Sequence, residues 1–526
     1  MLPTLAPILI LLATPLLMLV IQRSRPRFAY FWLVAAGGTL LAWPLVLLMR
    51  LSLPLEIPLM TWQPAEFFPF SPVLLADTIS WPFALALATL VLAVILTDVA
   101  RAAEADWLAW ASSMAITALG ILAVMAGNIL TLLMTWAIID LVELVILLKQ
   151  VLNSPVRERV VVAFTGRAAG IMLVIWAGVV ARSSGEGLTF TTISPQISGY
   201  FLLAAGLRLG VLPLHLPFLQ ELPLRRGLGT LLRMVPVAAS LVLLVRSAAA
   251  GVPAVLVPYL LFLTGLAALY GGLAWVSASD ELDGRPFWIL GLAALAVVSA
   301  VRAQPAASLA WGIALLLPGG LLFLISARHR YLLPLILSGL LGISVLPYTP
   351  AWQGVRLYTA PYSLLLVIFL LAQALLLAGY LRHALRPGPG MIGAERWTLV
   401  IYPLGLALLP VAHFIIFWSS MQEPTGNLDA LPALSESWPG LVVFALAGLL
   451  AARSRRSPLM PAALIASLRL FFSFGWLYRL LWRAYHALGR LIGFFNLVLE
   501  GEGGILWTLL LLTLLLSLLV QRSMEG

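Results

Sequence analysis

The sequence predicts an all-α polytopic membrane protein: about sixteen transmembrane helices, some of them broken, plus a C-terminal amphipathic helix lying on the membrane surface. Three observations carry this. Of 526 residues, 62% are hydrophobic and 10% are charged, against roughly 25% charged in soluble domains. The apolar runs are about twenty residues long, enough to cross ~30 Å of hydrocarbon as a helix. Basic residues gather on alternate loops, as they do on the cytoplasmic side of membrane proteins. The alternation expected of a membrane barrel is absent.

Composition narrows the chemistry. There is no cysteine, which excludes disulfides, thiolate metal sites and cysteine-ligated clusters on this chain. The net charge of +10 reads as topological, so no nucleic-acid partner is expected. No cofactor motif is present. Lys149 is the only lysine among 31 basic residues. Codon usage in a GC-rich genome would account for that, but the consequence for proton chemistry holds either way.

In order, spans are expected at about 3–22 and 28–49, then an outer segment without basic residues, Leu51 to Leu75. Further spans follow at about 79–97, 107–126, 128–148, 159–181, 198–217, 228–246, 254–276, 287–301, 306–326, 331–348, 358–381, 397–418, 438–452 and 504–520. The first apolar run precedes its basic cluster, Arg23, Arg25 and Arg27. That is the reverse of a secretory signal, so it reads as a retained helix with its N-terminus outside. Outer loop ends then hold only Arg50, Arg182, Arg246, Arg302, Arg356 and Arg522, and the other loop arginines, with Lys149, fall inside. An even number of spans puts both termini on the outer, periplasmic side of a cell inner (plasma) membrane.

Between Pro458 and Leu499 the pattern changes. Arg479, Arg483, His486 and Arg490 fall on one helical stripe, and the other faces are Leu, Phe and Trp. Such a helix lies in the interface. Unbroken it would reach ~60 Å, and Gly475, Gly489 and Gly493 are places to kink. It is either a lipid-surface anchor or a lateral brace for the bundle or a neighbour.

Few charges remain inside the spans. Asp140 and Glu143 lie three apart on the fifth helix and share a face. Arg167 is on the sixth, Arg208 on the seventh and Arg233 at the start of the eighth, with His413 on the fourteenth. Each is costly in hydrocarbon unless paired or hydrated. Within the seventh span the stretch Ala205 to Pro217 carries Arg208 and is interrupted by Pro213 and Pro217, each of which removes a backbone N–H. A buried acid–arginine network among helices five to eight is therefore expected. It either packs helices together or lines a proton or cation path. His215 beside the break reads as a relay or as a hydrogen-bonding cap. The acidic run Asp280, Glu281 and Asp283, followed by Gly284 and Pro286, reads as a solvated turn.

Several motifs, in order, resemble one family. Asp77-Thr78-Ile79-Ser80-Trp81-Pro82-Phe83 is similar to its D-x-x-S-x-P-F at the start of helix three. Asn128 to Glu143 is similar to its helix five, where a tryptophan directly precedes the key glutamate; here Ala137 follows Trp136 and the acids come later. Ala163 to Arg167 is similar to its A-F-x-x-R, whose nearby aspartate is replaced by Gly170. Arg208 to His215 is similar to its K-x-x-x-x-P-x-H, with arginine for the relay lysine. Arg233 stands where a histidine is usual. Leu346 to Arg356 is similar to the second broken helix, L-P-x-T-x-G-F-x-G-K, with Arg356 one place past the lysine.

These residues mark a resemblance to the antiporter-like, proton-conducting membrane subunits of NADH–quinone oxidoreductase (respiratory complex I). Those are related to multisubunit Na+/H+ antiporter and membrane hydrogenase subunits. The resemblance implies a subunit with no redox site or cofactor of its own, held among other membrane subunits and lipid. It implies a proton pathway drawn from Asp140, Glu143, Arg167, Arg208, His215, Arg233 and Arg356. It divides the chain into N-terminal helices with the outer segment (1–75), a translocation core (76–420), a peripheral helix (421–457), and the lateral helix with a final span (458–526). The missing lysines leave a second reading, a divergent non-conducting scaffold. An enzyme acting on lipid or quinone, for which no catalytic cluster is visible, and a secondary transporter with two broken helices are further readings.

Overall fold

Fourteen helices among the described residues are long and apolar enough to cross a membrane. The computed structural model describes residues 2–59, 71–104, 106–150, 154–186, 189–190, 193–216, 226–359, 364–388, 390–391, 395–421, 432–456, 459–473, 475–500 and 502–524. The helices are α1 (Leu2–Ser24), α2 (Phe31–Leu48), α3 (Ser80–Thr97), α4 (Trp107–Val124), α5 (Ile129–Gln150), α6 (Ser154–Ser183), α7 (Pro195–Leu209), α8 (Arg226–Ala248), α9 (Val257–Ser277), α10 (Glu281–Val301), α11 (Pro305–Leu324), α12 (Leu333–Leu341), α13 (Leu364–Ala384), α14 (Thr398–Met421), α15 (Trp438–Arg456), α16 (Ala462–Phe472), α17 (Gly475–Glu500) and α18 (Glu502–Met524). The two expected spans that fall short are α7 and α12, the two broken ones.

Helices α3, α8 and α11 are buried along their whole lengths, and α10 along nearly all of its own. The helices around them turn Leu41, Trp176, Tyr259, Val400 and many other large apolar side chains outward. A surface this apolar is stable in hydrocarbon and not in water, so the chain is a multi-pass membrane protein.

Local chemistry sets the helix ends. Before α3, the Asp77 carboxylate accepts from the Ile79 and Ser80 N–H groups (3.2 and 2.8 Å), and Ser80 Oγ accepts from the Asp77 N–H. Such reciprocal bonds satisfy the orphan donors of a helix start. Arg246 at the end of α8 then pairs with Asp77 at 2.8 Å.

The acidic run at 280–283 is not the solvated turn expected. Asp280 caps α10, accepting from the Leu282 and Asp283 N–H groups (2.9 and 2.8 Å). Glu281 is 6% exposed and accepts from Arg226 at 2.9 Å, with Arg328 at 3.7 Å. A capping aspartate followed by acids in the first turn matches the helix dipole, and α10 starts about six residues earlier than hydropathy suggested.

Helix α7 also stops for a different reason than expected. It ends at Gly210, in the left-handed conformation (φ 78°), where the N–H groups of Val211 and Leu212 turn back to the Gly206 carbonyl (2.8 and 3.1 Å). That is a glycine C-cap, and Pro213 follows a helix already terminated. Pro217 lies outside the described residues. One feature was not anticipated. The outer segment holds a short antiparallel ribbon, β1 (Leu55–Pro58) and β2 (Val73–Ala76), against which the α4–α5 connection adds a bridge at Ala126. The amphipathic stretch is two helices, α16 and α17, meeting at 45° near Gly475, while Gly489 and Gly493 lie inside a continuous α17. The residues divide into two compact units, Met1–Ile465 and Ala466–Gly526; in the second, α17 packs on α18.

Candidate functional site: a buried acid–arginine chain

Four helices bring the intramembrane charges together. α5 packs on α6, α6 on α7, and α7 on α8. Asp140 and Glu143, one turn apart on α5, face that seam and are 1% and 0% exposed. Arg208, on the last turn of α7 before the glycine cap, reaches Asp140 with both terminal nitrogens, at 2.6 and 2.9 Å. This bidentate fork is the strong form of an arginine–carboxylate pair. Its Nε donates to Ser240 Oγ on α8 (3.3 Å), Nη1 also donates to the Arg167 carbonyl (3.2 Å), and the guanidinium lies 4.2 Å from the centre of the Trp136 ring. Trp136 is itself held by a bond from its Nε1 to the Ala239 carbonyl.

Arg167 comes next. It donates to Glu143 Oε2, and its Nε stands 3.5 Å from Asp140 Oδ1. Glu143 Oε1 faces Arg233 of α8 at 3.7 Å and takes no hydrogen bond from the described residues. The result is an alternating row, Arg208, Asp140, Arg167, Glu143, Arg233, with every member at most 4% exposed. Buried charge of this kind is stable only when paired. Alternation lets each inner member bridge two neighbours of opposite sign.

Gly170 makes room for the row. A Cβ built there would stand 2.6 Å from Arg208 Cγ and 3.0 Å from its Cδ. The resemblance implies an acid on α6 near this position, where this sequence has Gly170. The structure shows the Arg208 stem filling that space and the acid supplied from α5 instead.

Of the other sequence candidates, His215 lies beside α6 at Gly166, while Arg356 and His413 sit on elements outside α5–α8. The ring Nδ1 of His215 hydrogen-bonds to the Pro213 carbonyl at 2.8 Å and its N–H to the Gly210 carbonyl at 2.8 Å, the geometry of a cap on the turn. Arg356 sits on a 3-10 turn, Trp352–Tyr358, that packs against α10, α11 and α15. His413 is buried on α14, and its Nε2 takes no hydrogen bond from the described residues. Sequence reasoning missed a second polar cluster, in which Glu281 meets Arg226 and Arg328. The signal for it was the Asp-Glu pair opening α10, which is a helix-start signature. Among the described residues no three His, Asp or Glu side chains gather as a metal site; the acids that do gather face arginines.

Two interrupted helices in a bundle of long spans, one of them ending in a buried charge row, define a class of membrane protein. No protein-family model matches the sequence, and no curated protein matches it. Solved structures do. A chain of the Mrp complex from Dietzia sp. DQ12-45-1b is similar with a TM-score of 0.73 and 14% identity over 99% of this chain and 63% of that one. A chain of the membrane-bound sulfane sulfur reductase, an archaeal respiratory membrane complex, gives 0.68 and 16% identity over 98% and 99%. A chain of respiratory complex I from Thermus thermophilus gives 0.52 and 16% over 85% and 96%. This chain thus spans about 63% of the Mrp chain it matches. Its fold is the antiporter-like membrane-subunit fold that the sequence motifs resemble.

Proposed function

We propose that the chain is a proton- or cation-translocating, antiporter-like subunit of a redox-driven complex of the NADH–quinone oxidoreductase type, without a redox site of its own. It sits in a cell inner membrane among other membrane subunits, with both termini outside and α17 along the surface. The observation that carries this reading is the buried row from Arg208 to Arg233 at the end of a broken helix.

Guanidinium groups stay protonated, so no proton is loaded on Arg167, Arg208 or Arg233. The exchangeable sites are the two carboxylates and any water beside them. Glu143 is the acid to bet on: one of its oxygens is bonded to Arg167 and the other takes no hydrogen bond from the described residues. A proton arriving there weakens its hold on Arg167. That guanidinium already stands 3.5 Å from Asp140 and moves toward it. Loss of the proton draws it back. One proton on or off Glu143 thus becomes a shift in the ion-pair row.

A second reading, a non-conducting scaffold, is favoured by the two-pronged grip of Arg208 on Asp140 and by the absence of a lysine at that site. Proton uptake by the complex in sealed vesicles separates the two. With Asp140→Asn and Glu143→Gln together, uptake falls to background if the row conducts. A double variant that pumps at the wild-type rate overturns translocation through this row. Arg208→Lys, which restores a group able to release a proton, raises uptake if the arginine was what limited it.

A further inference from the structure

Beside the Glu281 cluster lies a buried cation with no acid of its own among the described residues. Arg285 stands one turn beyond Glu281 on α10, which packs on α8, α9 and α11. It is 5% exposed. It makes no ion pair or hydrogen bond among the described residues, and its Nε is shut off from solvent. What the guanidinium does face is the Phe323 ring, whose centre lies 5.2 Å from Cζ. A ring face attracts a cation, but by less than an anion does.

The charges around it do not neutralise it. Arg233 and Arg226 repel Arg285, and Glu281 and Asp280 attract it. Both acids are committed elsewhere. Asp280 caps α10 through the Leu282 and Asp283 N–H groups. Glu281 accepts from Arg226 at 2.9 Å and faces Arg328 at 3.7 Å. Arg226 and Arg233 lie two turns apart on α8 and share a face, and Arg285 stands against that face. The row from Arg208 to Arg233 joins three guanidinium groups through two carboxylates. It leaves one positive charge over, and Arg285 adds a second beside its Arg233 end. Arginine does not escape by releasing its proton, and a buried charge without a counter-charge is strongly unfavourable.

We infer that a small monovalent anion of the chloride type binds at Arg285, against the α8 face that carries Arg226 and Arg233, as the counter-ion for this end of the row. Charge attracts it, and the Arg285 N–H groups, Nε among them, supply its donors. Arg285, Arg233 and Glu281 are each at most 6% exposed. A lining this buried suits a monatomic ion and not a phosphate or a lipid headgroup, which would bring far more polar surface out of water. The assignment stands whether or not the row conducts.

The test uses the full chain, purified with its complex, exchanged into gluconate and titrated with chloride at constant ionic strength. A ligand that binds only the folded state raises the unfolding midpoint as it saturates. The wild-type midpoint therefore climbs with chloride or bromide and levels off, and radiolabelled chloride is retained in equilibrium dialysis. Arg285→Gln weakens halide binding roughly tenfold or more, the worth of one hydrogen bond to a charged group. It also removes an uncompensated charge, so in gluconate it unfolds at or above the wild-type temperature, and in saturating chloride the wild type overtakes it. A purely structural Arg285 gives the same loss in both salts, and that result overturns the assignment. So does a wild-type midpoint indifferent to chloride, or a halide affinity unchanged in Arg285→Gln. If Arg285→Gln does not fold, wild-type crystals soaked in bromide decide: an anomalous peak beside Arg285 supports the site, and a map without one there sinks it.

Discussion

The two broken helices are surrounded by opposite chemistry. Where α7 stops, Arg208 lies 2% exposed among Asp140, Arg167 and Trp136. Where α12 stops, the unwound stretch from Gly342 to Ala351 has no acidic or basic side chain. It is held by neutral bonds. Gln373 of α13 donates to the Ile343 carbonyl (3.1 Å) and accepts from the Tyr358 hydroxyl (2.6 Å), and Trp352 Nε1 donates to Ser437 Oγ (3.1 Å). The helices beside it pack Trp275, Trp288, Phe323 and Tyr380 ring against ring. Val345 and Tyr348 sit at φ 48° and 60°, a region side chains rarely adopt and which persists only when neighbours enforce it. One break is lined by charge, the other by neutral hydrogen bonds and packed rings. The charges beside the first break come from α5–α8, and the neutral bonds and packed rings beside the second come chiefly from α9–α13.

The strongest way to break that contrast is Arg208→Ala. It leaves the Asp140 carboxylate buried with only Arg167, at 3.5 Å. Removing one partner of a buried pair costs about 3–5 kcal/mol, so unfolding in detergent should shift by that much. Asp140→Asn in the Arg208→Ala background should recover a large part of it. A cost below ~1 kcal/mol, the range of exposed pairs, would mean the row is hydrated and loosely held.

Gly170→Ala comes next. The added methyl meets the Arg208 stem, and overpacking of this kind costs about 1–3 kcal/mol. The same substitution in Arg208→Ala should cost much less, because the obstructing stem is gone. Additive losses in this double-mutant cycle would show that position 170 is sensitive for a reason unrelated to the arginine.

Much of this contrast was legible in the sequence. The spans, the face shared by Asp140 and Glu143, and the partnership of Arg208 with an acid on another helix all follow from hydropathy, helical spacing and the cost of lone charges in hydrocarbon. What stayed hidden depends on which helices touch and how each is rotated. Asp77 and Arg246 are 169 positions apart, and no local pattern joins them. The ends of α7 and α10 were misread because proline and charge are conspicuous. The agents that act there are a left-handed glycine and a capping aspartate, which are silent in a hydropathy profile. Arg356 belongs to the second broken helix by motif order, and it lies there on the turn Trp352–Tyr358.

Gln373→Leu tests the neutral half. It strands the Tyr358 hydroxyl and the Ile343 carbonyl, and leaving buried groups unsatisfied costs about 1–3 kcal/mol. Because no charge is involved, the loss should be the same at low and high salt and should leave proton uptake per folded molecule unchanged. Lower uptake at equal folding would give the second break a part in transfer.

Tyr380→Phe should be the mildest. The hydroxyl reaches the Ile336 carbonyl only at 3.5 Å, the outer limit of a hydrogen bond, while the ring supplies most of the packing against Trp288. A loss at or below ~1 kcal/mol is expected, because the ring stays and a long bond goes. A Cβ on Gly339 would stand 2.1 Å from that hydroxyl, so the oxygen is wedged against the start of the second break. If removing it destabilises the protein more than Gln373→Leu does, the pin on α12 is this contact and not the glutamine. The stiffness of this half would then rest on the Tyr380 hydroxyl against Gly339 more than on the Gln373 hydrogen bonds.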